Sequence, residues 1–463
     1  MPGQLQTFDF VVLISYMAAV FGLGCWFARK SSTTDEFMAA GRSLPGWAVG
    51  LSVFGTYVSS IGFLGNAGKA FGENWNSWVF GLSLPIAAVF AVKYFIPLYR
   101  STDEVSAYSQ LEHRFGPWAR LYALICYLMS QIARIGTILY LVALALAPLT
   151  GWDIRTIILV TGILVTIYTM VGGIEAVIWT DVVQSVVLVA GAILCVVLLL
   201  TQTEGGSEQL FQIANENDKF SLGSFSLAPA TLIAKDPTFW MVLVYGIFIN
   251  WTNFGIDQSF VQRYITAKSD KDANFSVWLA CLLFPLVSAM FFFIGTGLYS
   301  YCKTDAEFTN AVKISVASSQ AGVDASESEV HAVADQLTDA EIADKVLPNY
   351  IIRNLPMGVS GLLIAAIFAA AMSSVDTSLN SAATLVLCDI HKRYLKPTAG
   401  ERESMRVLYG STLFFGVVGT IAAMAMIRVK SALDMWWNLQ GIFTGGMLGL
   451  FLLGLITKKA KNA

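Results

Sequence analysis

Residues 361–386 read GLLIAAIFAAAMSSVDTSLNSAATLV, a stretch apolar enough to cross a bilayer. Its centre nevertheless carries Ser373, Ser374, Asp376, Thr377, Ser378, Asn380 and Ser381. Polar groups at that depth are costly unless they face protein, water or an ion. Helical spacing places Ala370, Ser373, Ser374 and Thr377 at i, i+3, i+4 and i+7, on one face. That face offers neutral hydroxyl oxygens, joined by backbone carbonyls wherever the helix opens. Oxygen ligands of this kind suit hard cations such as sodium. The same pattern also suits small residues packed closely between helices, with hydroxyls bonded back to carbonyls.

The rest of the chain favours the membrane. Of its 463 residues 56% are hydrophobic and 13% charged, about half the charged share usual in soluble domains. A net charge of −3 points away from a nucleic-acid partner. His113, His331 and His391 fall in expected loops, which leaves no intramembrane histidine for a metal site. Six scattered cysteines form no CxxC pair and read as packing residues. The N-terminus lacks a basic leader and cleavage site, so residues 9–27 read as a retained span.

Windows of about twenty apolar residues predict eleven helices, near 9–27, 46–68, 77–98, 119–148, 154–172, 178–201, 237–257, 275–300, 356–386, 406–427 and 434–456. Alternate loops concentrate Lys and Arg: Arg29, Lys30 and Arg42, then Arg100 and Arg114, then Arg263, Lys268 and Lys271, then Lys392, Arg393 and Lys396. The positive-inside rule puts these loops and the C-terminus in the cytoplasm and the N-terminus outside. The acidic stretch 324–344 reads as a solvated outer loop with a short helix.

Two spans, 46–68 and 237–257, are unusually rich in glycine and polar residues. With 9–27 as an added first helix, they open successive five-helix halves of opposite topology. Interrupted helices in corresponding positions of two halves mark the midplane site of a transporter. The organisation expected is 1–45 extra helix and inner loop, 46–201 first repeat, 202–236 outer loop, 237–456 second repeat with an outer loop at 301–350, and 457–463 tail. Arg134 lies well inside the span 119–148, where a guanidinium must find an anion, a helix end or an internal carboxylate.

PGWAVGLSVFGTYVSSIGF (45–63), ARIGTILYLVALAL (133–146), YTMVGGIEAVIWTDVVQ (168–184), DQSFVQRYI (257–265) and GLLIAAIFAAAMSSVDTSLNS (361–381) together resemble the sodium:solute symporters, and among them the bacterial sodium/sialic acid symporters. The resemblance implies an all-α, leucine-transporter-like 5+5 inverted repeat with one extra N-terminal helix. It also implies alternating access and sodium-driven uptake of a small organic solute by a monomer in the bacterial inner membrane. Carried over by position, a first sodium ion would be held by backbone oxygens of Gly55, Val58 and Ala370 and the hydroxyls of Ser373 and Ser374. Positions matching a second sodium site are Asp181, Ser373, Asp376 and Thr377, with Asp376 standing where the sialic acid symporters carry serine. Asp181 also has a plain reading as an N-cap or a solvated inner-leaflet residue. The resemblance gives Arg134 the substrate's carboxylate, a suitable partner for a bidentate fork.

The pocket departs from that subfamily at Tyr57, Gly62 and Leu82, while Ser59 and Ser60 remain. A site built on hydrogen bonds rejects ligands that leave them unpaired, so a carboxylate anchor can persist with a different body attached. Asn250, Asn253 and Asn438 are further lining candidates. Trp251 and Trp437 are gate candidates that also suit interfacial anchoring. Relatives commonly carry two more helices after the core, whereas this sequence stops at TKKAKNA. No GxxxxGK[ST], HExxH or Ser–His–Asp constellation appears, which disfavours an ATP-driven pump or an enzyme. Asp376 keeps a proton-coupled variant open, and a transporter-like sensor would need a signalling domain that this sequence does not contain.

Overall fold

The structure is a computed structural model that describes residues 6–27, 31–58, 60–102, 104–228, 237–321, 326–427 and 432–457; the side chains of 60, 61, 148, 149, 319–321 and 432–438 are not described. Its elements are almost all helical, with one isolated backbone bridge. Nine helices among the described residues are long and apolar enough to cross a membrane, or ten when one bent pair counts as a span. Large apolar side chains cover the outside, among them Trp26, Leu286, Ile421 and Ile442. Exposure on that scale marks a lipid-facing surface.

Helix α1 (Thr7–Phe27) precedes a broken span, α2 (Gly46–Tyr57) and α3 (Ser60–Gly72), whose two parts bend by 51°. The break follows from Val58, whose φ of −89° and ψ of 88° leave the helical region. Helix α4 (Val79–Phe90) continues through a π-turn to Arg100. Helix α5 (Pro117–Thr150) carries Arg134. The expected spans 154–172 and 178–201 follow one another without a loop in α6 (Ile154–Gln202), a helical run divided by one non-helical residue. It kinks at Gly173 (φ 61°, ψ −160°), where a Cβ would lie 2.9 Å from the Phe37 backbone. The Gly172 carbonyl at the kink accepts the Ser31 hydroxyl at 2.6 Å.

A second break separates α7 (Phe239–Ile256) from α8 (Gln258–Thr266) at the extended residue Asp257, whose carboxylate caps α8 through Ser259 N at 2.8 Å. Helix α9 (Asp270–Thr304) follows. The acidic region is more ordered than one short helix: Ala306–Ala321, Glu327–Gln336 and α10 (Asp339–Arg353) are all helical, and α10 packs on α3. Helices α11 (Val359–Leu385), α12 (Glu401–Met426) and α13 (Ala432–Ile456) complete the chain.

Helix α11 is the centre of the molecule. Its apolar window is 89% buried, against 11–67% in the other spans. Alanines and serines let α1, α5, α6 and α12 approach it closely. Its N-terminal N–H groups are capped from another helix: Gly358 N and Gly361 N donate to Asp9 Oδ1 at 2.7 and 2.9 Å. On the face that carries the Lys/Arg-rich loops, Leu44 N donates to Thr266 O at 3.1 Å and Lys268 N to Leu44 O at 3.0 Å. This parallel bridge ties the chain entering α2 to the chain leaving α8. Arg100 reinforces it by donating to the carbonyls of Tyr264 and Ala267, both at 2.9 Å.

Candidate functional site

The break after α2 faces the serine-rich stretch of α11. A helix end leaves its last carbonyls outside the hydrogen-bond ladder, and here those belong to the turn Gly55–Val58. Gly55 permits the approach: a Cβ there would lie 3.2 Å from Ser373 Oγ and 3.1 Å from Ser185 Oγ. On α11, Ser374 Oγ reaches its Ala370 carbonyl at a long 3.3 Å, and Ser373 Oγ donates to Asp181 Oδ1 at 2.5 Å. Gly55, Val58, Ala370, Ser373 and Ser374 are all buried. The structure thus brings Gly55 of the helix end against Ser373, on the helix that also carries Ala370 and Ser374.

The four positions expected for a second ion divide. Asp181 and Thr377 hold a residue counted among the basic loops, Arg263, while Ser373 bonds the other carboxylate oxygen of Asp181. Its guanidinium is fully buried and donates to Asp181 Oδ2 (2.9 Å), Ser52 Oγ (2.7 Å), the Ser259 carbonyl (2.8 Å) and Thr377 Oγ1. A fixed positive charge therefore already lies against Asp181 and Thr377. The plain reading of Asp181 as a solvated residue fails, because the carboxylate is 0% exposed. Asp376 turns elsewhere, accepting Tyr168 Oη–H at 2.6 Å and Thr377 N–H at 2.6 Å. Arg263 sits within DQSFVQRYI, and the apolar residues flanking it were the available signal that it is no loop residue.

Arg134 is half-buried beside the α2 end. Its hydrogen bond among the described residues is a 3.5 Å contact from Nη2 to the Thr56 carbonyl, and no carboxylate there pairs with it. The internal-carboxylate alternative is therefore not realised, and its helix-end alternative amounts to one long bond. Tyr57 closes α2 among the rings of Phe260, Phe284 and Phe254, at 4.7, 5.6 and 5.8 Å. The Asn253 amide approaches the Tyr57 hydroxyl without reaching hydrogen-bond geometry. Gly62 and Leu82 are half-buried on α3 and α4. Asn250 is buried and donates to Ser83 Oγ at 2.9 Å, which ties α7 to α4, and its side-chain oxygen has no hydrogen-bond partner among the described residues. Trp251 packs on Phe90 at 4.8 Å. Ser59 lies outside the described residues, as do the side chains of Ser60, Trp437 and Asn438.

Comparison with known proteins gives a consistent picture. The profile of the sodium:solute symporter family matches residues 37–463. The chain is 33% identical over 463 residues to the sodium/sialic acid symporter SiaT of Proteus mirabilis, covering 99% of this chain and 87% of that protein. It is 32% identical over 457 residues to the sodium/sialic acid symporter NanT of Aliivibrio fischeri, covering 98% and 84%. The solved substrate-bound, outward-open structure of a Na+-coupled sialic acid symporter superposes with a TM-score of 0.85 at 32% identity, covering 98% of this chain and 88% of that one. The nucleobase-cation-symport-1 transporter Mhp1, at 16% identity and a TM-score of 0.53, shares the fold alone.

Proposed function

Since the chain belongs to the sodium:solute symporter family, and is thus a sodium-coupled transporter rather than an enzyme, we propose that its organic substrate is a carboxylated sugar such as sialic acid, imported by alternating access. The observation that carries this reading is Arg134, a half-buried guanidinium beside a helix break, held by one long bond to a carbonyl. Such a group favours a carboxylate from solution, since a bidentate pair replaces a poor contact with two charge-assisted bonds. Tyr57, Ser59, Ser60, Gly62, Leu82, Asn250, Asn253 and Asn438 would line the body of the substrate.

The coupling ion would bind the Gly55 and Val58 carbonyls together with Ala370, Ser373 and Ser374. An ion there links α2 to α11 and favours whichever conformation keeps the two together, to the extent of its differential affinity. Arg263 supplies the positive charge at Asp181 and Thr377, which supports one sodium ion per cycle. In this reading 46–201 and 237–456 are the two repeats and a monomer is the working unit. The basic loops face the cytoplasm, across a bacterial inner membrane.

Uptake of labelled sialic acid into proteoliposomes, with an inward sodium gradient or with potassium in its place, tests the assignment. Accumulation with sodium alone is expected. Arg134→Ala should raise KM by about tenfold or more, the worth of hydrogen bonds to a charged group. Sodium-dependent uptake of other sugar acids but not of sialic acid would move the substrate and keep the anchor. That outcome would fit the changed contacts at Tyr57 and Leu82.

A further inference from the structure

The half-helix α3 ends on the face opposite the basic loops, and a lysine from elsewhere in the chain closes it. Lys219 lies between α6 and α7, just after the short helix Gly206–Glu216. Its Nζ donates to the Phe71 carbonyl at 2.6 Å and to the Glu73 carbonyl at 3.1 Å, in the last turn of α3 and just beyond it. A helix end leaves such carbonyls without partners of their own. The ammonium also sits 3.8 Å over the ring of Tyr299 on α9, whose hydroxyl donates to Asn217 Oδ1 at 3.0 Å. Phe71 packs its own ring 5.7 Å from that of Tyr299. One side chain thus seats the end of α3 against α9.

Lys219 is 5% exposed, yet both of its hydrogen bonds among the described residues go to neutral acceptors. The ionisable groups around it are engaged with one another or face solvent. Glu73 pairs with Lys69 at 2.6 Å, and Asp339 at the start of α10 pairs with Lys303 of α9 at 3.0 Å. Lys303 lies 4.9 Å from the same Tyr299 ring, so a second cation crowds the seat. Asp344 of α10, next to Lys345, stands against Gly68, a turn earlier on α3. Glu204, Glu208, Glu216 and Asp218, on the chain around Lys219, are exposed.

An ammonium buried without a carboxylate gives up hydration for dipoles and a ring, which disfavours its charged form. Burial, against the pull of Asp339 and with the repulsion of Lys303, brings Lys219 from its ordinary 10.5 down to about 8. The seat therefore holds a charge at a cost. It also holds a body with its own joint, since non-helical Val58 and a 51° bend separate α3 from α2.

We propose that Lys219 is a positioning residue of the transport cycle, which seats the end of α3 loosely while charged and firmly once neutral. In the released form the lysine is hydrated and keeps its proton to higher pH than in the seat. Seating accordingly strengthens as pH rises from about 8 towards the ordinary 10.5, and below about 8 the contact carries its full burial cost. At neutral pH the half-helix is thus easily freed to move about the break beside the ion-binding carbonyls. This inference rests on membership of a sodium-coupled family and is independent of which solute is carried.

Amide hydrogen exchange of the purified full chain, read by mass spectrometry and divided by the intrinsic rate at each pH, measures release at residues 70–76. Between about pH 6.5 and about pH 8 the opening equilibrium should be level, and above that it should fall by up to about tenfold per unit. That profile belongs to the unmodified protein and needs no variant to fold. Lys219→Arg keeps its charge throughout this range and should show no such fall. Replacing potassium chloride by sodium chloride should displace the profile, because an ion at the end of α2 and the seat at the end of α3 act on the same break. Opening that ignores pH, opening that increases with pH, or an equal fall in Lys219→Arg would overturn the proposal. Sodium binding, measured calorimetrically on the same sample, that leaves the profile in place would overturn the link to transport.

Discussion

Asp181 and Arg263 show how one residue changes the meaning of its neighbours. With both groups fully buried, removing either partner leaves the other uncompensated, which typically costs about 3–5 kcal/mol. Asp181→Asn should therefore lower the thermal unfolding temperature sharply. The double variant Asp181→Asn/Arg263→Met should recover much of the loss, a non-additivity that a double-mutant cycle reads directly. A loss in the double variant equal to the sum of the singles would mean that the pair is not coupled. Gly55 makes a second residue-scale case: an added Cβ would lie 3.2 Å from Ser373 Oγ and 3.1 Å from Ser185 Oγ, so both hydroxyls must shift by a few tenths of an ångström. Gly55→Ala should accordingly weaken sodium binding by about tenfold or more in a binding titration. The hydroxyl face of α11 was legible because period and composition alone reveal it. The partner of Asp181 was not: a count of basic residues by loop has no means of telling a solvated arginine from one folded back under its own helix.

At the scale of elements, breaks matter as much as spans. Hydropathy located the broken span 46–68, because glycine and polar residues dilute its apolar run. It separated 154–172 from 178–201, and the break between them is the single positive-φ residue Gly173, with no loop. It also treated the first helix as an addition, although that helix caps the central one. Asp9 satisfies two N–H groups at the start of α11, and losing a cap of this kind costs about 0.5–2 kcal/mol. Asp9→Ala should lower the thermal midpoint and speed amide exchange at Gly358 and Gly361 in hydrogen-exchange mass spectrometry. Unchanged exchange there would show that the contact contributes nothing to α11.

Across the whole molecule, the basic face is held by charge. Glu112 joins Arg120 of α5 to Arg393 beyond α11, with its carboxylate 2.7 Å from Arg120 Nη1. The Arg393 hydrogen bond, followed by that of Arg120, holds the Glu112 carboxyl below its ordinary value of 4.5. A depressed carboxyl contributes stability that is present above the unfolded value and lost as pH falls through the folded one. The unmodified protein should lose thermal stability on acidification below that ordinary value faster than Glu112→Gln does, and parallel curves would argue against the assignment. The same face carries the bridge between Leu44 and the strand-like turn at Thr266–Lys268, made by main-chain hydrogen bonds and braced by the Arg100 side chain. Its main-chain bonds have no side-chain spelling of their own. Leu44 and Ala267 are buried, so packing constrains their side chains, but no particular side chain is needed to make these bonds. Proline at 44 or 268 is the exception, since it deletes a donor N–H, and its exclusion from those two positions is the heritable mark these main-chain bonds would leave.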